Sequence, residues 1–238
     1  MRFHIITLFP EMFAGPFDHS IIKRAQEKGL VEIEFINIRD FGEGKHKMVD
    51  DTEYGGGIGM LMKVDVVHKA IQHAKQTFSQ QSNNETLKQW VVLMSASGKT
   101  FKQELAKEYA NLDHLILICG HYEGVDDRIR HYIDEEVSIG DFVLTGGEIP
   151  AMLITDSVTR LIKGVLPEGA TEDESFSENN NEVLLEYPHY TKPQIYNDHE
   201  VPEVLLSGDH KKIAIWRREQ AIKKTKELRP DLIKTDSD

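Results

Sequence analysis

Two glycine-rich segments hold side chains that are suited to binding a charged ligand with a ring. Residues 119–126 read CGHYEGVD, so Tyr122 and Glu123 stand between glycines at the end of an apolar run. In residues 139–148, IGDFVLTGGE, glycines flank a short apolar stretch. Glycine lets a ligand approach the main chain, while tyrosine supplies a ring and glutamate a charge. Both segments are compatible with an adenosine-type ligand; the alternative for the first is a tight turn with Tyr122 packed on its neighbours.

A third glycine cluster has no strand before it. Residues 50–60 read DDTEYGGGIGM. Backbone with so few side chains allows close approach of a large flat group, such as a nucleobase. The alternative interpretation is a flexible hinge.

One motif resembles a phosphate-binding loop but lacks its full pattern. Residues 95–100, SASGKT, lie between a predicted strand and a helix. A phosphate loop needs another glycine five residues before Gly98, where this chain has Leu93. The run 115–118 is not followed by an aspartate that would hold magnesium. The pattern disfavours a nucleotide hydrolase and indicates a polar turn whose backbone is open to a ligand. A dinucleotide site is disfavoured too, because no Gly-x-Gly-x-x-Gly follows the first strand.

Short apolar runs come before these segments and predict the sheet that positions them. Residues 90–94 and 114–119 are continuous apolar runs separated by a helix, which is typical of parallel strands covered on both faces. Ligands in such α/β sheets bind outside the carboxyl ends of the strands. Further strands are predicted at 3–9, 31–38 and 137–144, and helices at 11–28, 64–76, 101–109, 125–132, 149–162 and 209–226.

The composition of the chain changes after residue 162. Residues 163–182 are rich in glycine, acid and asparagine, which predicts a mobile linker or lid. We therefore divide the 238 residues into an α/β domain at 1–162, this linker, and a small helical domain at 183–238. In the first domain, residues 77–86 are polar and predict a surface loop.

The charge distribution is uneven. The net charge of −12 argues against a nucleic-acid partner in bulk, but phosphate binding needs only a local basic face. Basic residues concentrate after His210, and the predicted helix there favours contact with an RNA backbone over a merely solvated face. The single Cys119 excludes an intrachain disulfide and fits the cytoplasm. No apolar run is long enough for a bilayer, and the first residues are too short an apolar run for a signal peptide.

The motifs, taken together and in order, resemble the bacterial tRNA (guanine-N1)-methyltransferase family. The resemblance spans nearly the whole chain, and the ordered set is far more specific than any single motif. The matching segments are LFPEMF at 8–13, YGGGIGM at 54–60, CGHYEGVD at 119–126, SIGDFVLTGGE at 138–148, EYPHYT at 186–191, VP at 201–202, LLSGDH at 205–210 and WR at 216–217.

This resemblance implies a knotted α/β fold of the SPOUT type. The sheet would be mainly parallel, with a deep trefoil knot formed by residues 95–98, 120–124 and 139–147. It also implies S-adenosylmethionine as the methyl donor, magnesium dependence, and an obligate homodimer whose active sites are shared between subunits. The substrate would be guanosine 37 of tRNAs that carry G at position 36.

The resemblance also assigns roles to individual residues. It places Gly59 near the target base and the family's active-site arginine at Arg160. Together with the charge pattern, it predicts tRNA contacts at Gly59, Ser175, Lys211, Lys212, Arg217 and Arg218. The donor pocket would comprise Leu93, Met94, Ser95, Gly120, Tyr122, Glu123, Gly124, Ile139, Gly140, Phe142, Leu144, Gly146 and Gly147.

The sequence departs from the family at several positions. Ala96 and Ser97 stand where Pro-Gln is usual, and Ile58 and Lys163 stand where proline is common. The family's catalytic aspartate precedes a Ser-Phe pair, and here that residue is Glu174, with Asp173 beside it.

A carboxylate base fits the chemistry, because guanine N1 carries a proton at neutral pH. Glu174 or Asp173 would take that proton and Arg160 would stabilise charge on O6. The alternatives are a solvated Glu174 and an Arg160 that only favours a helix C-terminus. Two other functions stay open: a knotted methyltransferase for ribose or rRNA, and a noncatalytic RNA-binding protein of the same fold.

Overall fold

The computed structural model describes residues 1–81, 87–179 and 182–233. The strands are β1 Arg2–Thr7, β2 Glu32–Asn37, β3 Asp50–Asp51, β4 Leu61–Met62, β5 Gln89–Thr100, β6 His114–Cys119, β7 Glu135–Ser138, β8 Glu178–Asn179, β9 Glu182–Val183, β10 Ile195–Tyr196 and β11 His199–Glu200. The α-helices are α1 Ser20–Glu27, α2 Val64–Gln81, α3 Gln103–Tyr109, α4 Glu148–Thr159, α5 Glu203–Leu206 and α6 His210–Leu228. Short 3-10 helices lie at Pro10–Phe13, Ile38–Phe41, Asp127–His131 and Pro230–Leu232.

Five parallel strands form the central sheet, in the order β2-β1-β6-β5-β7. Alternate residues of β6 enter different cores. Leu115 and Leu117 belong to one apolar cluster, together with Ala151 of α4. Ile116 packs in the other cluster, together with Val67 of α2. The prediction of parallel strands covered on both faces is confirmed.

β5 is longer than predicted and is interrupted in its middle. Met94 and Lys99 both lie opposite Val137 of β7, so residues 95–98 leave the ladder and the strand resumes after them. The predicted polar turn is therefore an excursion within one strand. Its backbone passes so close to β7 that a Cβ at Gly98 would overlap the main chain of Glu136 and Val137.

Two helix predictions in the first unit were wrong in their bounds. The predicted helix 11–28 is a 3-10 turn followed by α1, because Gly15 has a φ of +96° and breaks the helical backbone. The predicted loop 77–86 is helical as far as Gln81, and residues 82–86 lie outside the described part of the chain. The helix extends because the buried Phe78 ring packs 4.2 Å from the His114 ring between centroids.

Two other elements near the sheet edge are shorter than expected. The predicted helix 125–132 is a 3-10 helix, Asp127–His131, whose preceding Asp126 side chain accepts from the Arg128 amide. The predicted strand 137–144 pairs only as β7 and ends at Ser138. The glycine at 140, with a φ of +149°, turns the chain away from the sheet.

The chain divides into two compact units, Met1–Leu166 and the residues from Pro167 onward. In the second unit, β8 pairs with β9 and β10 with β11 as two-stranded antiparallel ladders. The predicted N-cap of α6 is confirmed, since the Asp209 side chain accepts from the amides of Lys211 and Lys212. Among the described residues, no helix is long and apolar enough to cross a bilayer.

Candidate functional site

A cleft of about 420 Å³ opens beyond the carboxyl ends of β5, β6 and β7. It is lined by the three segments that follow or interrupt these strands, at 95–97, 120–125 and 138–147. Every residue that the sequence predicted for the donor pocket lines this cleft: Leu93, Met94, Ser95, Gly120, Tyr122, Glu123, Gly124, Ile139, Gly140, Phe142, Leu144, Gly146 and Gly147.

The third glycine cluster runs beside one wall of the cleft. The Met60 carbonyl accepts from the Glu123 amide at 3.0 Å, and the Met62 amide donates to the Gly124 carbonyl at 2.9 Å. Gly59 is so near that a Cβ there would lie 2.5 Å from Cγ of Glu123. Gly59, which is predicted to approach the target base, therefore lies against Glu123, a residue that lines the cleft.

Close main-chain packing shapes the rear of the cleft. A Cβ on Gly147 would lie 2.6 Å from Cα of Cys119 and 2.9 Å from the Gly120 nitrogen. The Gly147 amide instead donates to the Gly120 carbonyl at 2.9 Å. Glycine at this position thus lets α4 begin directly against the end of β6.

Charged groups line one side of the cleft. Arg130 contacts Glu136, with Nε 2.9 Å from Oε1. The other Glu136 oxygen accepts from Ser97 at 3.1 Å, and the Ser95 and Ser97 hydroxyls are 2.8 Å apart. Ser97, one of the departures from the family, is therefore tied to a cleft carboxylate. The sequence did not predict roles for Arg130 and Glu136, because their contact joins a 3-10 helix to a strand.

The pKa values of two other groups, the Tyr122 phenol and the Cys119 thiol, are raised. Burial raises the pKa of the Tyr122 phenol, and nearby Asp50 raises it further. Burial also raises the pKa of the Cys119 thiol. Both groups therefore stay protonated at neutral pH, so Tyr122 offers a hydroxyl donor and Cys119 is not a nucleophile.

The predicted catalytic residues lie in different units. Arg160 is the C-cap of α4 in the first unit. Asp173 and Glu174 line a separate cavity of about 240 Å³ in the second unit, together with Arg217 and Arg218 of α6. Within the second unit, the candidate bases are thus brought together with two of the predicted tRNA-contact residues.

The segment that holds the candidate bases is tied to the rest of the second unit. The Phe176 amide donates to the Leu184 carbonyl at 2.9 Å, and the Ser175 hydroxyl accepts from the Glu186 amide at 3.0 Å. The Arg229 guanidinium lies 5.8 Å from the centre of the Phe176 ring. The predicted RNA-contact role of Ser175 therefore falls on a hydroxyl that already accepts one main-chain hydrogen bond.

The predicted RNA-contact side chains of α6 are exposed. Lys211, Lys212, Arg217 and Arg218 all face solvent within the second unit. Arg217 lies 4.7 Å from the centre of the Tyr187 ring, and Arg218 pairs with Glu182 at 2.8 Å. An exposed ion pair such as Arg218–Glu182 contributes little to stability. The Arg218 guanidinium therefore remains able to exchange its carboxylate partner for a phosphate.

Comparison with known proteins gives matches along the whole chain. A family model described as tRNA (Guanine-1)-methyltransferase TrmD matches residues 1–235. A relative from Desulforamulus reducens is 51% identical over 235 residues, covering 98% of this chain and 89% of the relative. One from Clostridioides difficile is 51% identical over 236 residues and covers 98% of both chains. A third, from Endomicrobium trichonymphae, is 47% identical over 98% of this chain and 100% of its own length. All three are named tRNA (guanine-N(1)-)-methyltransferase.

Proposed function

The chain belongs to the tRNA (guanine-1)-methyltransferase family, and from that premise we propose that it transfers the methyl group of S-adenosylmethionine to N1 of guanosine 37 in tRNA. The family and the shared name of its relatives identify the chain as a tRNA (guanine-N1)-methyltransferase. The donor, the position in tRNA and the residue roles are our proposals. The observation that carries the donor proposal is that two segments that resemble the family, at 119–126 and 138–148, line one cleft together with residues 93–97.

The cleft fits the chemistry of a sulfonium nucleoside. Ile139, Phe142 and Leu144 provide apolar walls for a flat base, and bare main chain at the glycines provides amides and carbonyls. The Glu123 carboxylate complements a positive charge, whereas the Glu136 carboxylate is already paired with Arg130. When bound there, S-adenosylmethionine would supply an activated methyl group.

The remaining chemistry falls to side chains of this protein. Guanine N1 carries a proton that must leave, and Glu174 or Asp173 would accept it. Charge then develops on O6, which Arg160 would stabilise through its guanidinium. The cleft holds the reacting atoms in line, which accounts for much of the rate enhancement.

The cleft lies in the first unit and the candidate bases Asp173 and Glu174 lie in the second, and an active site shared between two subunits would bring them together. We propose a homodimer in which the cleft of one subunit faces the acidic segment of the other. Exposed apolar side chains beside the cleft support this, since Val143 is 87% exposed and Phe142, Ile149 and Leu153 are also exposed. The trefoil knot, the preference for G at position 36 and a cytoplasmic location complete the proposal.

A magnesium requirement rests on the family resemblance alone. Within the described ranges, no three or more His, Cys, Asp or Glu side chains are grouped so that they could hold a metal ion. The described donor set does not fit a dedicated metal cage, and none of the proposed steps uses a metal.

Methyl transfer from labelled S-adenosylmethionine to defined tRNAs tests the proposal. A transcript with G36 and G37 should accept about one methyl group per molecule, and a matched transcript with A37 should accept none. Equal labelling of both transcripts, or of neither, contradicts the proposed target.

A further inference from the structure

A buried carboxylate lies directly behind the cleft and joins three segments of the chain. Glu148, the first residue of α4, is 1% exposed. Its Oε1 accepts from the Thr7 hydroxyl at 2.6 Å, and its Oε2 is 2.7 Å from Nε2 of His121. Thr7 ends β1, and His121 lies in the loop after β6. One side chain therefore connects two strand ends to the start of a helix.

The donor and acceptor roles at the His121–Glu148 contact depend on the tautomer of His121. An ionised carboxylate accepts at both oxygens, so the contact with His121 requires a proton on Nε2. Thr7 donates its only hydroxyl hydrogen to Glu148 and accepts from the Phe9 amide at 2.9 Å. The carboxylate also lies in the first turn of α4, where the helix dipole favours a negative charge. Each contact within this Thr7–Glu148–His121 triad therefore joins a hydrogen-bond donor to an acceptor.

The triad packs tightly against Gly146 at the wall of the cleft. A Cβ on Gly146 would overlap both Nε2 of His121 and Oε2 of Glu148. His121 is further bounded by Phe9, whose ring centre is 5.0 Å away in an edge-on arrangement. Gly146 and His121 both line the cleft. The His121–Glu148 contact thus fixes the loop at 120–124 relative to Gly146, alongside the main-chain hydrogen bond from Gly147 to Gly120.

We propose that Glu148 is a positioning residue that acts through His121 to hold the loops at 120–124 and 146–147 at the separation that the methyl donor requires. The proposal rests on the proposed donor-binding function of the cleft. Glu148 itself is too buried to touch a ligand, so its effect on binding passes through His121. Binding affinity is highest when such loops are fixed before the ligand arrives, because less ordering is then required.

Calorimetric titration of the full chain with S-adenosylmethionine tests this role. Glu148→Ala and His121→Ala should each weaken donor binding about tenfold or more, as expected when a charge-assisted hydrogen bond that orders a binding loop is lost. Glu148→Gln should weaken it less, because its amide oxygen still accepts from Thr7. The double variant Glu148→Ala/His121→Ala should bind no more weakly than the weaker single variant, because both remove one interaction.

Tyr109→Phe is the matched control. The Tyr109 hydroxyl donates to Glu135 at 2.6 Å in the same unit, and neither residue lines the cleft. This variant should lower the melting temperature without changing donor affinity. In steady-state assays, the Glu148 and His121 variants should raise KM for the donor more than they lower kcat.

The outcomes separate this inference from the function on which it rests. Wild-type affinity in both alanine variants, additive losses in the double variant, or an equal loss in Tyr109→Phe would overturn the positioning role alone. A wild-type chain that gives no binding signal with the donor would overturn the proposed function and this role with it. His121→Ala keeps the test decisive if Glu148→Ala does not fold, because the His121 side chain is partly exposed.

Discussion

Two neighbouring carboxylates, those of Asp173 and Glu174, are candidates for the role of proton acceptor. We expect alanine substitution of the carboxylate that serves as the base, Glu174 or Asp173, to reduce methyl transfer about 10²- to 10⁴-fold, the usual contribution of a positioned base. Donor binding should be unchanged, because neither residue is among those that line the cleft. Single-turnover methyl transfer at saturating donor measures the effect. Glu172→Ala, in the same acidic segment, is the control, and full activity of both variants and of their combination contradicts the assignment.

Glycines of the cleft differ in what they contribute. Gly147→Ala places a methyl group against the main chain of β6, and overpacking of this kind destabilises by about 1–3 kcal/mol. Gly120→Ala meets only ordinary contacts, with its nearest atom, the Met94 carbonyl oxygen, at 3.5 Å. Urea unfolding should therefore show a clear loss of stability for the first variant and a small one for the second. Equal stabilities would mean that α4 does not begin against β6 as described.

The sequence predicted the lining of the cleft better than the contacts behind it. The loops at 119–126 and 139–148 could be identified from glycines beside predicted strands, and their individual lining residues followed from the family resemblance. The contact between Thr7 and Glu148 joins residues 141 positions apart, and no local pattern reveals it. Predicting that contact requires the order of strands in the sheet.

The side chains of two histidines join β1 to β6. Nδ1 of His4 is 2.6 Å from Nε2 of His114, and His114 is fully buried. Burial, with a smaller contribution from the nearby His4, Arg2 and Lys75, lowers the pKa of His114 to about 3. The ring is therefore neutral in the fold, while in the unfolded chain it titrates near pH 6.5.

This pair should make stability depend on pH. Below pH 6.5 the unfolded chain binds a proton that folded His114 refuses, so stability falls as the pH drops from 6.5 towards 3, by up to about 1.4 kcal/mol per pH unit. The free energy of unfolding of His114→Gln should start below that of the wild type at pH 7.5 and approach it as the pH falls. Urea unfolding from pH 7.5 to 4 measures the difference. His46→Gln, at an exposed position, is the control, and a constant gap for His114→Gln contradicts the account.

Element boundaries were predictable where local signals agreed with packing. Asp209 and Pro230 bracket α6, because a cap and a helix breaker act locally. The end of α2 was not predictable, because the polar residues after Thr77 favour a loop while the buried Phe78 favours the helix. The contacts of Phe78 with His114 and Arg2, which are partners on neighbouring strands, decide in favour of the helix.

Basic side chains are concentrated on α6, although the chain as a whole is acidic. A chain with net charge −12 carries on α6 seven lysines and arginines against two glutamates. We expect tRNA binding to weaken steeply with salt, because each phosphate contact releases counterions. Lys211→Gln/Lys212→Gln should reduce the slope of log K against log salt by about 1 to 2.

An equal change of charge elsewhere provides the comparison. Lys23→Gln/Lys28→Gln alters two exposed lysines in or beside α1 and should leave the salt slope unchanged. Filter binding of tRNA between about 50 and 200 mM salt covers the sensitive range. The same slope for wild type and the α6 variant would show that this helix does not contact phosphates.

Identifying the atom that receives the methyl group distinguishes methylation of guanine N1 from the other candidate reactions. We would digest tRNA after reaction with the wild-type chain and identify the modified nucleoside by mass spectrometry, with primer extension to locate it. We expect 1-methylguanosine at position 37 and at no other position. A guanosine methylated on its ribose, or a modified base elsewhere in the tRNA, would contradict it.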